Sequence, residues 1–81
     1  MPKLRVLSAT ELLAILHEFG FEVVSQKGSH IKLVRFQDGI RQVLTVPNHK
    51  VLDKGTIKAL FRQANRFIET ADLHPHVYHE Q

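Results

Sequence analysis

Leu12, Leu13, Leu16 and Phe19 recur at helical spacing, and the segment they mark is bounded at both ends. Ser8-Ala9-Thr10-Glu11 has the form of a capping box: the serine hydroxyl serves the first amides and the glutamate reaches back. Gly20 supplies a stop. The pattern predicts a helix of about eleven residues with one buried face. From Phe21 the period shortens. Phe21 to Gln26 is β-prone around Val23 and Val24, and Lys27-Gly28-Ser29 breaks it as a tight turn. His30 to Gln37 and Ile40 to Val46 read as two further strands joined by Asp38-Gly39. That dipeptide is the strongest local signal, because a type I′ turn needs positive φ at both central positions. Pro47 ends the ladder, having no N–H to donate. After a basic loop, Ile57, Leu60, Phe61, Ala64 and Ile68 trace a second amphipathic helix that opens near Gly55-Thr56.

The predicted order is α-β-β-β-α, an α+β fold with a three-stranded antiparallel sheet and both helices on one face. The segment from Asp72 is polar and contains Pro75, so residues 1–71 are expected to form the domain and 72–81 a flexible tail.

The two-residue turn fixes a register in which cross-strand positions sum to 77. Ile31 then faces Val46, Leu33 faces Leu44 and Gln37 faces Ile40, so Ile31, Leu33, Ile40, Leu44 and Val46 share a core face. The other face carries His30, Lys32, Val34 and Phe36 against Pro47, Thr45, Val43 and Arg41, and should be left uncovered by the helices. His49 lies two residues past Pro47. If the chain stays extended, it projects diagonally from His30, about 7–8 Å away, a span that a phosphate could bridge.

With 81 residues, 43% of them hydrophobic, the chain supports one modest core. It contains no cysteine, which excludes disulfides and thiolate metal sites. No apolar run resembles a signal peptide or a membrane span, so a cytoplasmic protein without membrane contact is expected. Charge is unevenly placed. All 11 Lys and Arg precede residue 68, against five carboxylates, while residues 68–81 hold three carboxylates and neither Lys nor Arg. A basic domain of this kind suits a polyanionic partner. His74, His76 and His79 match no standard metal spacing, so no metal and no cofactor are expected; His17 reads as solvated.

Gly20-Phe21, Lys27-Gly28-Ser29-His30, Val46-Pro47-Asn48-His49 and Lys54-Gly55-Thr56-Ile57 follow one another at spacings that resemble the HicA (YcfA-like) toxins, over residues 10–67. The resemblance implies a double-stranded-RNA-binding-domain-like fold, a toxin–antitoxin endoribonuclease acting on mRNA, and a HicB-like antitoxin as partner. The family's catalytic histidine corresponds to His30. The sequence departs from the family after the second helix, where Asn65-Arg66-Phe67 and a histidine-containing tail replace the usual short ending.

The chemistry agrees with that expectation. RNA carries its own nucleophile, the 2′-hydroxyl, so an enzyme needs a proton-transfer group and cations to offset charge on the phosphorane. An imidazole titrates in the right range, and Lys27 and Lys32 flank His30 in sequence. A strand histidine is ordinarily structural; the four matching blocks are what favour catalysis. His49 is a candidate second group, although it reads more simply as a loop residue. Gly28 and Ser29 make a turn whose amides suit a phosphate. Lys50, Lys54 and Lys58 cluster at the start of the second helix, as expected of RNA-backbone contacts. Val34, Phe36 and Val43 form a candidate antitoxin or partner face. The rival readings are a non-catalytic RNA-binding module of the same fold, and an adaptor centred on the tail.

Overall fold

A computed structural model describes residues 2–79. Its elements in chain order are β1 (Lys3–Leu4), α1 (Ala9–Glu18), β2 (Glu22–Lys27), β3 (His30–Gln37), β4 (Ile40–Pro47), α2 (Lys54–Ala64), α3 (Thr70–Val77) and β5 (Tyr78–His79).

Both ends of α1 follow from local chemistry. The Ser8 hydroxyl accepts from the Glu11 amide at 3.1 Å, and the Glu11 carboxylate accepts from the Ser8 amide at 2.9 Å, completing the capping box. These bonds from Ser8 hold the Glu11 carboxyl below its ordinary range. At the other end the Phe21 amide donates to the Leu16 carbonyl and the Gly20 amide to that of His17, the pair of bonds that defines a Schellman motif. Gly20 has φ +94°, and a Cβ built there would stand 3.2 Å from Cδ of Arg35. Gly20→Ala should therefore cost about 1–2 kcal/mol for the left-handed backbone, beyond any readjustment of Arg35. Urea unfolding checks it: an unchanged midpoint would mean that the turn relaxes freely.

The sheet has the order β2-β3-β4. Asp38 and Gly39 have φ +54° and +76°, as the I′ turn requires. The β3–β4 register runs from His30↔Pro47 through Ile31↔Val46 and Leu33↔Leu44 to Gln37↔Ile40, the register read from the sequence. Ile31, Leu33, Leu44 and Val46 are buried with Leu12, Ile15 and Leu16 of α1 and Ile57, Leu60 and Ala64 of α2 in one core. The helices thus cover one face of the sheet. Ile40, expected in this core, is 65% exposed, because it sits at the hairpin tip beyond the helices. Two loop leucines absent from the helical pattern, Leu7 and Leu52, are also core residues, joined by the Leu52 amide to the Leu7 carbonyl at 2.8 Å.

α2 opens on Asp53, whose carboxylate accepts from the Thr56 amide at 2.7 Å. This bond chiefly, with the Thr56 side chain, the Gly55 amide and His49 adding to it, holds the Asp53 carboxyl below its usual range. The helix ends at Ala64. Ile68, expected within it, lies past its end but is still buried.

The main departure from expectation is at the C-terminus. Residues 72–79 are not a loose tail: α3 packs Leu73 and Val77 into the core, and β5 pairs with β1 through Lys3↔His79 and Leu4↔Tyr78. Leu73 and Val77 lie one helical turn apart, too sparse an apolar pattern to mark a helix on its own. Pro75 removes the N–H that would meet the Ala71 carbonyl, but Ala71 is exposed, so water can serve that carbonyl. Tertiary burial of the two apolar residues outweighs the proline.

Candidate active site

His30 opens β3 on the face of the sheet opposite the helices, and it is exposed. Directly opposed residues of an antiparallel pair share a face. Lys27 on β2 and Pro47 on β4 both pair with His30, so the imidazole stands between a lysine and a proline. The next row on this face is Ser25, Lys32 and Thr45. Among the described residues, neither Lys27 nor Lys32 is in an ion pair and the His30 ring makes no hydrogen bond to protein. The ring and its flanking ammonium groups therefore meet solvent, and an anion can approach them.

Two local features put Lys27 there. The turn contains only Gly28 and Ser29; Gly28 has φ +59° and Ser29 is not in the positive-φ region, the sign pattern of a type II′ turn with glycine first. Lys27, expected in the turn, is the last residue of β2. The second feature is a β-bulge. Glu22 pairs with Val34 and Val23 with Leu33, but Ser25 rather than Val24 pairs with Lys32. Were the register of Glu22 and Val23 continued unbroken, Gln26 would oppose His30 and Lys27 would fall into the turn. The bulge re-aims both Ser25 and Lys27 onto the histidine's face. Single-sequence periodicity could not show it, since Val23 and Val24 look alike on a β-prone segment and both are more than half exposed.

His49 is placed differently from the expectation. Its amide donates to the Pro47 carbonyl at 3.0 Å, a three-residue turn that ends the extended chain at Asn48. The diagonal approach to His30 needed an extended chain, so its premise fails. Instead the His49 carbonyl accepts from the Ala9 amide, and the side chain lies near enough to Asp53 to favour its ionised form. The Ser29 carbonyl accepts from the Asn48 amide at 2.6 Å, fastening the Gly28-Ser29 turn to the end of β4.

Lys50 is exposed in the loop before α2, and Lys54 and Lys58 are exposed on that helix. The last two line a cleft with Pro2, Lys3, Leu4 and Tyr78, of which Lys3 and Tyr78 went unnoticed in the sequence. The apolar partner face needs correction. Phe36 is 68% exposed, but Val43 is half-buried and Val34 only 7% exposed. Val34 lies outside the main core and is covered on the open face by its flanking strands, with Glu22 and Val43 as direct partners. A central strand position is shielded by neighbours on both sides even without a second layer. The histidines near the C-terminus are engaged locally: His74 stacks on Tyr78 at 4.5 Å, and His76 meets Phe19 edge-on and lies 3.7 Å from the Glu18 carboxylate. His17 is exposed, 3.2 Å from the Glu22 carboxylate.

No curated protein and no solved structure matches the chain. A family model, described as the HicA toxin of bacterial toxin–antitoxin systems, matches residues 9–65, from the first residue of α1 to just past α2. That span contains the whole β2-β3-β4 sheet with His30, Lys27 and the bulge, and more than half of the chain. The chain belongs to the HicA toxin family.

Proposed function

We propose that this protein is a metal-independent endoribonuclease that cleaves mRNA, with His30 transferring the proton. Membership of the family implies an antitoxin partner; we infer that it is HicB-like and closes over the open face, where Phe36 offers apolar area. No helix among the described residues is long and apolar enough to cross a membrane, and mRNA as substrate agrees with a cytoplasmic site of action.

The observation that carries this reading is the pairing of Lys27 with His30 on an uncovered face. The imidazole takes the proton of the ribose 2′-hydroxyl, the 2′-oxygen attacks the adjacent phosphorus as the P–O5′ bond breaks, and the leaving 5′-oxygen takes a proton from water. The products are a 2′,3′-cyclic phosphate and a 5′-hydroxyl. Lys27, with Lys32 next to it, offsets charge as the phosphorane forms. The Gly28 and Ser29 turn holds the phosphate, and Lys50, Lys54 and Lys58 bind the RNA backbone. His49 remains a second acid–base candidate only if substrate reaches the Asn48 turn.

The test is cleavage of a defined RNA in excess EDTA, with the product ends read by mass spectrometry. Cyclic phosphate ends that disappear with His30→Ala support the mechanism. Tight RNA binding with no cleavage by either protein would favour the non-catalytic module.

A further inference from the structure

We propose that the cleft between α2 and the β1–β5 ribbon is a second RNA-contacting surface, which holds the phosphodiester backbone of one strand away from the cleaved bond. It rests on the reading of RNA as substrate and extends it to a part of the chain outside the family match. Residues 9–65 carry the matched domain, whereas Lys3 and Tyr78 come from β1 and β5 on either side of it. The ribbon brings the two ends of the chain together, with Lys3↔His79 and Leu4↔Tyr78 paired and the Arg5 amide donating to the Val77 carbonyl at 2.8 Å.

The cleft, about 420 Å³, is lined by Pro2, Lys3, Leu4, Lys54, Lys58 and Tyr78. Among the described residues, three ammonium groups from two elements converge there, no carboxylate lines it, and none of the three lysines is in an ion pair. The nearest acid in sequence, Asp53, has its carboxylate engaged by the Thr56 amide. Lys54 and Lys58 are also badly placed for the helix. They lie one turn apart, like charges facing each other, at the positive end of α2, whose first turn holds no acid. An arrangement that opposes local helix stability is accounted for by an anion that both lysines meet.

Tyr78 extends the path. Its ring is fixed by stacking on His74 at 4.5 Å and by an edge contact with Phe61 at 5.3 Å. Past it lies a second cleft of about 370 Å³, lined by His74, Pro75, Tyr78 and His79. The surface therefore runs from lysines to an aromatic ring to imidazoles, a composition suited to a ribose-phosphate chain.

The experiment measures binding of a fluorescent single-stranded RNA by anisotropy across a salt series, using the full chain carrying His30→Ala so that the RNA survives. Lys3→Gln with Lys58→Gln should reduce the magnitude of the slope of log affinity against log salt by about 1.4, two phosphate contacts' worth. Arg62→Gln, an exposed control on the same helix, should leave it unchanged. Thermal melts confirm that each variant is folded. An unchanged slope in the folded double variant overturns the proposal. So does displacement of the RNA by inorganic phosphate at constant ionic strength, which would make the cleft a small-anion pocket. Because binding is read without cleavage, the outcomes separate. A reduced slope with an inert wild type sinks the nuclease reading alone, and an active wild type with an unchanged slope sinks this one alone.

Discussion

Alanine at His30 is expected to lower RNA cleavage by about 10²–10⁴-fold, the usual contribution of a positioned acid–base group, while RNA affinity changes little. The expectation is sharp because the residue has little structural work. It is exposed, its ring bonds to no described protein group, and the pairing of β3 with its neighbours runs through backbone atoms. Removing it should therefore leave the melting temperature nearly unchanged, so a lost rate can be assigned to chemistry. Lys27→Gln should give a smaller loss, since Lys32 lies on the same face two residues along β3 and still offsets part of the charge. Single-turnover cleavage, with anisotropy for affinity, checks both. Equal rates for wild type and His30→Ala would remove the imidazole from the mechanism.

Arg35→Met should destabilise the fold by about 3 kcal/mol, lowering the melting temperature by roughly 12–24 °C in a domain of this size. Arg35 lies on the helix-covered face of β3, where an apolar residue would be expected, and it is half-buried. Its guanidinium donates to the Phe19 carbonyl at 2.8 Å, the Phe67 carbonyl at 2.7 Å and the Gln42 side-chain oxygen at 2.7 Å. It also lies over the Phe21 ring, 4.8 Å from its centre. One side chain thus joins the end of α1, the centre of the sheet and the turn after α2. Methionine keeps the aliphatic stem but leaves the two backbone carbonyls without their partner. Arg35→Lys should recover little, because one ammonium cannot span three acceptors set by a planar fork. Scanning calorimetry decides the matter. A shift of only a few degrees for Arg35→Met would mean that water replaces the guanidinium at no great cost.

The site and the fold were legible in the sequence to different depths. His30 could be placed on the open face from one dipeptide, because Asp38-Gly39 forces a two-residue turn and every cross-strand pair follows from it. The pairing of Lys27 with His30 could not, since it depends on a bulge that leaves no periodic trace. Val34 was read as exposed because alternation reports which face a residue points to, not how far its neighbours screen it. His49 was misplaced where one turn at Asn48 broke an assumed extension.

Local signals were sufficient wherever a few neighbouring residues satisfy one another: the Ser8–Glu11 box, the Gly20 stop and the I′ hairpin each close their hydrogen bonds within a few positions. The sequence by itself therefore determined α1, the three-stranded meander, its register and the side on which His30 stands. Tertiary structure alone decided the rest: that Arg35 ties three elements together, that Leu73 and Val77 make a helix of a proline-containing segment, and that Lys3 and Lys58 line one cleft between α2 and the β1–β5 ribbon. Those contacts join residues far apart in the chain, and their energy exists only once the sheet has given both partners a surface to pack on.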